Sequence, residues 1–376
     1  MSARARRHAA AVSLTVAVTT GTALLLTSCG PSTTSTAANS ASPSAVSTPS
    51  PSSTQSASPT TGTPSASPTA AAGTPTQSSG PVPSRSASAT PSSAPATGNS
   101  PTPLNGTARN GLTISNGSRY VVMNGTTVDF GTAVRDLVWS PDGHKAAFVD
   151  GAGDLAVANP DGSGRVTVAK HPAGETWSHP AWQVAAASPQ GYYPVKDNLF
   201  FVAARNGVSQ LEKVPATAVD GTPQQLGLGG YSGDNTQPNP ETGNLWPNGG
   251  GPYGSSVYAN SDTGEVFIRD ESLRQQGGPV TKGSEPALSP DGEQIVFVRS
   301  VDGHDHLFES ANSGATATAK DLTPHATTDY TEPAWSPSGT TIAARTANGI
   351  VTLPANGSAA PTLISGYQGL PAYRHS

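Results

Sequence analysis

The sequence predicts an all-β fold, a six-bladed β-propeller set behind a disordered N-terminal stalk. Three observations point there: a hairpin motif that recurs along residues 105–376, the spacing of its copies, and a repeat split between the two ends of that segment. The clearest copies begin at Asp136 (Asp-Leu-Val-Trp-Ser-Pro-Asp-Gly), Glu285 (Glu-Pro-Ala-Leu-Ser-Pro-Asp-Gly) and Glu332 (Glu-Pro-Ala-Trp-Ser-Pro-Ser-Gly). A fourth, His179-Pro-Ala-Trp, reaches its Ser-Pro-Gln-Gly only at Ser188 to Gly191.

Each copy is one side of a hairpin. Pro fixes φ, Asp closes a turn through its own carboxylate, and Gly accepts positive φ, so Ser-Pro-Asp-Gly reverses the chain. A β-rich run follows every time: Lys145 to Val149, Asn198 to Val202, Gln294 to Val298 and Thr341 to Ala344. A third strand ends in a further turn, as in Asp154 to Gly164 and His306 to Gly314. A short fourth strand then follows, Arg165 to Val168 and Lys320 to Thr323. Four strands per repeat make one blade.

Trp139 and Trp182 are 43 residues apart, and Leu288 and Trp335 are 47 apart, the length of a four-stranded blade. The gap of 106 from Trp182 to Leu288 holds the start of one degenerate blade. Its expected opening is near Gln237-Pro-Asn-Pro240, with Ser256 to Tyr258 and Glu265 to Ile268 as later strands. The last residues, Gly369 to Tyr373, open a repeat whose later strands are found at the start of the segment, Gly111 to Ser115, Arg119 to Met123 and Thr127 to Phe130. Blades thus open at 136, 179, about 237, 285, 332 and 369, and sharing the last one between the two ends removes open sheet edges. Asn-Gly pairs at 110, 116, 124, 206, 248, 348 and 356 fit two-residue hairpin turns. A parallel β-helix or a sandwich is the alternative, and neither requires this spacing.

The N-terminal third cannot fold this way. Residues 31–104 contain no acid, no aromatic residue and one base, Arg85, in a background of Ser, Thr, Pro and Ala. With so little apolar surface to bury, ordering would cost about 1–2 kcal/mol per residue without return, so a stalk is expected over 29–104. Ahead of it, Arg4, Arg6 and Arg7 precede an apolar run from Ala9 to Leu26 that ends in Leu-Thr-Ser-Cys29, the order of a secretion signal over residues 1–28. Cys29 is the single cysteine, which excludes an intramolecular disulfide; a buried or incidental thiol is the competing reading.

All 25 acids lie beyond residue 104 together with 16 of the 20 bases, a net of −9 before histidine, so nucleic acid is not an expected partner. There is no Gly-x-Ser-x-Gly elbow, His-Glu-x-x-His pair or EF-hand-like run of acids, and binding is expected rather than catalysis.

The Pro-Ala-Trp-Ser-Pro-Asp-Gly pattern, its Ile-Ala-Phe-like strand and the later Asn-Pro-Asp-Gly-Ser-Gly turn resemble the repeats of TolB-like, WD40-like (PD40) propellers over about 270 residues. Leu-Thr-Ser-Cys29 resembles the lipobox of bacterial lipoproteins, and the two together resemble an actinobacterial lipoprotein type. The resemblance implies diacylglycerol or palmitate on Cys29 and a location on the extracytoplasmic face of the cell membrane. The α/β N-terminal domain of TolB has no counterpart in the sequence, so a Tol–Pal-type role is not implied.

In related propellers the Pro-Ala-Trp strand is innermost, and the residue before it faces the channel mouth. That position is held by Asp136, His179, Glu285 and Glu332, a set suited to a cation, an amine or a basic surface. Capping of turns and bonding to backbone is the plainer reading. Other six-bladed propellers are calcium-dependent lactonases or phytases whose ligands come from separate blades, so calcium in the channel of a hydrolase is the alternative to a scaffold.

The expected partners are the membrane, through the lipid, and an envelope protein or cell-wall component, with the protein a monomer. Arg135 is placed to offset the charge of Asp136. Trp246 to Tyr253 reads as a Gly-rich loop, exposed or folded over the third blade, and His304-Asp305-His306 as the start of a strand rather than a metal site.

Overall fold

The computed structural model describes residues 102–188, 194–229, 238–271, 277–312 and 318–375. The expected signal segment, Cys29 and the stalk up to residue 101 lie outside the described residues, as do Gln237 and most of the Ser188 to Gly191 motif.

Regular structure among the described residues is all strand. The chain first forms β1 (Leu112–Ser115), β2 (Tyr120–Met123) and β3 (Thr126–Asp129). It continues with β4 (Arg135–Trp139), β5 (Ala146–Val149), β6 (Leu155–Ala158) and β7 (Val166–Ala169). The next four are β8 (Glu175–Ala185), β9 (Lys196–Arg205), β10 (Val208–Pro215) and β11 (Gln224–Gln225). Then come β12 (Asn244–Gly250), β13 (Ser255–Asn260), β14 (Glu265–Arg269) and β15 (Gly277–Lys282). Two more quartets follow: β16 (Ser284–Leu288), β17 (Gln294–Val301), β18 (His304–Ala311) and β19 (Lys320–Asp321), then β20 (Thr331–Trp335), β21 (Thr341–Thr346), β22 (Gly349–Pro354) and β23 (Thr362–Ser365). The last strand is β24 (Leu370–Tyr373).

These strands form six four-stranded sheets. Five are consecutive quartets, and the sixth has the order β24-β1-β2-β3. Leu112 to Ser115 pair antiparallel with Tyr373 to Leu370, so the C-terminus supplies the innermost strand of a blade begun 258 residues earlier. The innermost strands touch in the order β4, β8, β12, β16, β20, β24 and back to β4. The fold is a six-bladed β-propeller.

Alternation explains why the strands read as nearly continuous apolar runs. In β5, Ala146 and Phe148 pack toward β24 and its sheet, while Ala147 and Val149 pack toward β8 and β9. In β17, Val296 and Val298 face the β20 blade, and Ile295 and Phe297 face the β12 blade. Each blade is buried on both faces, and the core is divided into wedges between neighbours.

The repeated Trp fastens these wedges. Trp182 Nε1 donates to Val138 O at 3.4 Å and Trp335 Nε1 to Ala287 O at 3.0 Å, each reaching the preceding inner strand. Trp139 makes the same reach across the closing blade by relay, donating to Thr113 Oγ1 at 2.9 Å, which donates to Ala372 O at 3.0 Å. Where Leu288 replaces Trp, its N–H donates to Asn248 Oδ1 at 2.9 Å.

The Ser-Pro-Asp-Gly turns close as their chemistry dictates. Asp142 Oδ1 takes the Ser140 hydroxyl at 2.5 Å and the His144 N–H at 3.0 Å, while Ser140 Oγ takes the Lys145 N–H at 2.9 Å. Ser289, Asp291, Glu293 and Gln294 repeat the pattern. The Asn-Gly expectation holds in full at 124 and 206, where both residues have positive φ; Asn248-Gly249 instead lies inside β12.

The third blade corrects the sequence reading. It opens at Asn244, not near 237, and Trp246 to Gly250 form the innermost strand rather than a loop. Its glycines permit close approach: a Cβ on Gly249 would stand 2.1 Å from Trp182 O. Ser256 Oγ and Tyr258 Oη are buried in this blade with no partner among the described residues.

Two outcomes test this architecture by thermal melts and size exclusion of the full chain. Deleting residues 370–376 removes β24, exposes the edge of β1, and is expected to abolish the cooperative melt and yield aggregates. Tyr258→Phe removes an unsatisfied buried hydroxyl and is expected to be neutral or stabilising by about 1 kcal/mol, whereas Trp139→Phe costs about 1 kcal/mol.

Candidate functional site

The innermost strands share an irregularity that aims side chains at the axis. Pairing with the second strand shifts register between Arg135 and Val138, Ser178 and Ala181, Leu245 and Asn248, Ser284 and Ala287, and Thr331 and Ala334. The two residues inside each shift form a bulge, which bends the strand and redirects the first side chain. That first residue is left-handed in all five: Asp136 at φ 56°, His179 at 49°, Trp246 at 49°, Glu285 at 50° and Glu332 at 51°. In four of them the second is Pro180, Pro247, Pro286 or Pro333, and a bulge tolerates proline because its N–H has no ladder partner. β24 pairs with β1 without a shift, so Leu370, before Pro371, is not among the left-handed residues.

A left-handed backbone costs an L-residue about 1–2 kcal/mol. Five such residues at one level of the channel concentrate that strain where side chains converge.

Asp136, His179, Trp246, Glu285, Glu332 and Leu370 line one end of a central cavity of about 370 Å³. At the other end of the strands, Pro141, Pro252, Pro290 and Pro337 from the turns form its wall with His375. All four charged or titratable residues expected from the sequence therefore reach the channel mouth. Trp246, expected in a loop, is a fifth member, and Arg135 is exposed beside Asp136 on β4.

The ring is bonded in two adjacent pairs and one diagonal. Asp136 Oδ2 accepts the His179 N–H at 3.1 Å, and Glu285 Oε2 accepts the Glu332 N–H at 2.5 Å. His179 Nδ1 lies 4.0 Å from Asp136 Oδ2, and His179 Nε2 lies 3.4 Å from Glu332 Oε1. The last contact joins the second blade to the fifth, which stand opposite each other. Trp246 meets the His179 ring edge to face at 6.5 Å.

Protonation follows from this packing. Burial pulls the His179 imidazole down, but its bond to Glu332 and the charges of Asp136, Glu332 and Glu285 outweigh burial and raise it above 6.5. Burial first, then the charge of Glu332, pushes Glu285 up to about 7, against the opposing Glu332 N–H and Arg345. Two groups of one ring are thus both held above their ordinary values.

The same geometry bears on calcium, which takes 6–8 oxygens at about 2.3–2.6 Å. Asp136 and Glu285 spend oxygens on backbone N–H groups, and an imidazole stands among the carboxylates, so the ring as arranged does not make that shell. Among the described residues no group of three or more His, Cys, Asp or Glu is arranged to hold a metal ion. His304 and His306 are engaged separately, with Asp329 at 3.3 Å and Asp321 at 2.9 Å.

A second polar cluster escaped the sequence reading. Lys196 Nζ lies 2.5 Å from Glu271 Oε2 and Arg269 Nε 2.7 Å from Oε1, and Gln183 Nε2 donates to Oε1 at 3.1 Å, joining the second and third blades away from the axis.

No protein-family model matches the chain, and no curated protein matches it in sequence. Among solved structures it is similar to TolB from Acinetobacter baumannii, with 18% identity, TM-score 0.47, and 70% of this chain and 65% of that chain covered. A putative TolB from Agrobacterium tumefaciens shows 16% identity and TM-score 0.46 over 70% of this chain and 89% of that chain. An oligogalacturonate lyase in complex with manganese shows 13% identity and TM-score 0.41 over 64% and 68%. These likenesses concern the propeller fold; chemistry at the channel is argued from this chain's own residues.

Glu285→Gln tests the ring electrostatics. A carboxyl raised from 4.5 to about 7 loses stability as pH climbs through that interval. The variant keeps an acceptor for Glu332 N–H without the charge, so it is expected to gain on the order of 1–3 kcal/mol over the parent at pH 8 and to match it near pH 5, by chemical denaturation.

Proposed function

We propose that the protein is a membrane-anchored, extracytoplasmic binding scaffold whose propeller engages a basic group of an envelope protein or cell-wall component at the channel mouth. The observation that carries this reading is the ring itself. Three carboxylates, one imidazole and one indole, drawn from five blades, meet at one end of a cavity of about 370 Å³. Carboxylates in a walled opening focus a negative field and select for cations, and an indole face adds affinity for ammonium or guanidinium groups. The net charge of −9 beyond residue 104 adds a general attraction for cationic partners.

The anchor belongs to the same reading. Diacylglycerol on Cys29 buries about 0.8 kcal/mol per methylene in the bilayer, and the residues up to 104, if extended at about 3.1 Å each, would let the propeller search on the order of 200 Å from the membrane. Hydrolysis is not needed to account for the ring, since each carboxylate has a bonding role within it.

Two measurements check the proposal. Cys29→Ser is expected to move the protein from the membrane to the soluble fraction; continued membrane retention would remove the anchor from the account. Photo-crosslinking from position 246 in intact cells is expected to trap one discrete partner, and to lose it when Asp136, Glu285 and Glu332 are all changed to their amides. Unchanged trapping by that triple variant would move the binding surface away from the mouth.

A further inference from the structure

The diagonal of the ring differs in kind from its other bonds. Asp136 to His179 and Glu285 to Glu332 join neighbouring blades and use backbone N–H donors, so they belong to the wall. His179 to Glu332 joins blades on opposite sides of the axis, and it is made by two side chains alone. The two chains that meet there lie across the opening of the channel. Nothing in the packing of the blades requires their contact, because the neighbouring contacts of β8 and β20 are with β4, β12, β16 and β24.

We propose that His179 and Glu332 form a proton-operated bar across the channel mouth, closed while His179 is protonated and released when it is not. The groups that face each member decide the direction. His179 is met by Asp136, Glu332 and Glu285, and by the indole of Trp246; among the described residues its imidazolium is the cation paired with Asp136 and Glu332. Glu285, which holds the backbone of Glu332, is faced by Glu332, Asp305 and Arg345, and the Arg345 Nε is also bound to Thr331 Oγ1 at 3.2 Å.

Raising the pH takes one proton from His179, above its ordinary 6.5, and one from Glu285, at about 7. The first loss cancels the attraction that spans the axis; the second sets a new negative charge beside Glu332. Both act the same way, against closure. As the pH falls the bar re-forms, so the mouth is closed in acid and open in mild alkali. A site that is free to take a cation only when its own imidazolium has been discharged binds that cation with proton release, by linkage. Histidine is suited to the role because small changes in surroundings move its charge across physiological pH.

This inference adds regulation to the mouth described above and draws its biological use from that reading. Its test needs no partner, so the two fail separately. Trp246 stands against His179 and reports on the opening. Quenching of its fluorescence by neutral acrylamide is measured on the full chain between about pH 6 and about pH 8, with the signal of Trp246→Phe subtracted. The parent is expected to show about a twofold rise in quenching constant across this range, with a midpoint above the ordinary histidine value of 6.5. His179→Gln should be flat, and Glu332→Gln, which keeps size and hydrogen-bonding capacity, should shift the midpoint to lower pH. If His179→Gln does not fold, Glu285→Gln decides: a rise in quenching retained there assigns the titration to His179, and a flat profile overturns the bar. A flat parent profile overturns the bar, and so does an unshifted midpoint in Glu332→Gln. A parent-like profile in His179→Gln overturns it too, by assigning the titration to Glu285 alone.

Discussion

Every blade is apolar on both of its faces, and this single constraint governs the molecule. A sheet with one buried face needs one neighbour, but a sheet such as β4 to β7, with Phe148 turned one way and Val149 the other, needs two. An open row of such sheets would always leave two unburied faces at its ends. The ring closes because no other arrangement of these strands covers them all, and the split sixth blade is the covalent consequence. Its innermost strand comes from the C-terminus and the other three from the start of the folded segment, so the ring shuts by ordinary antiparallel pairing between Leu112 to Ser115 and Leu370 to Tyr373.

The channel site follows from the same geometry. Six inner strands converging on an axis have little room for side chains, in keeping with the alanine that follows the proline in β8, β16, β20 and β24 and the glycines that end β12. A bulge at the start of a strand relieves that crowding by turning one residue toward the opening. The residue so turned is exposed to the axis by backbone conformation and not by rotamer choice, so its identity is free to vary: Asp, His, Trp, Glu and Glu occupy five equivalent places. The scaffold fixes five directions of projection, and the sequence fills them with whatever chemistry the mouth requires.

How much of this is legible in the sequence depends on how strongly each feature marks itself. Ser-Pro-Asp-Gly states a turn in three residue types at once, and the blades carrying it are readable with their boundaries. Asp136, Glu285 and Glu332 are readable as ring members because each stands four residues before the Ser of such a turn, and His179 is readable through the Pro-Ala-Trp that follows it. The third blade lacks the turn. Asn244 to Gly250 has the composition of a loop, and the crowding that makes Gly249 necessary is a property of Trp182 O in another blade. A signal was nevertheless present: Trp246-Pro247 continues the series His179-Pro180, Glu285-Pro286 and Glu332-Pro333, and read as a bulge dipeptide it places Trp246 in the ring. The diagonal contact between His179 and Glu332 had no comparable trace, since residues 153 apart meet only because six blades put the second and fifth face to face.

The unshifted pairing of β24 breaks the sixfold regularity at one place. Five positions around the mouth project a charged, titratable or aromatic group, and the sixth presents only Leu370. A visitor rotated by one blade about the axis would therefore meet a different order of groups, and no two of the six settings are equivalent. The plain strand acts as a keyway. It gives an otherwise round socket an orientation, so that whatever docks there is held at a defined angle as well as at a defined height.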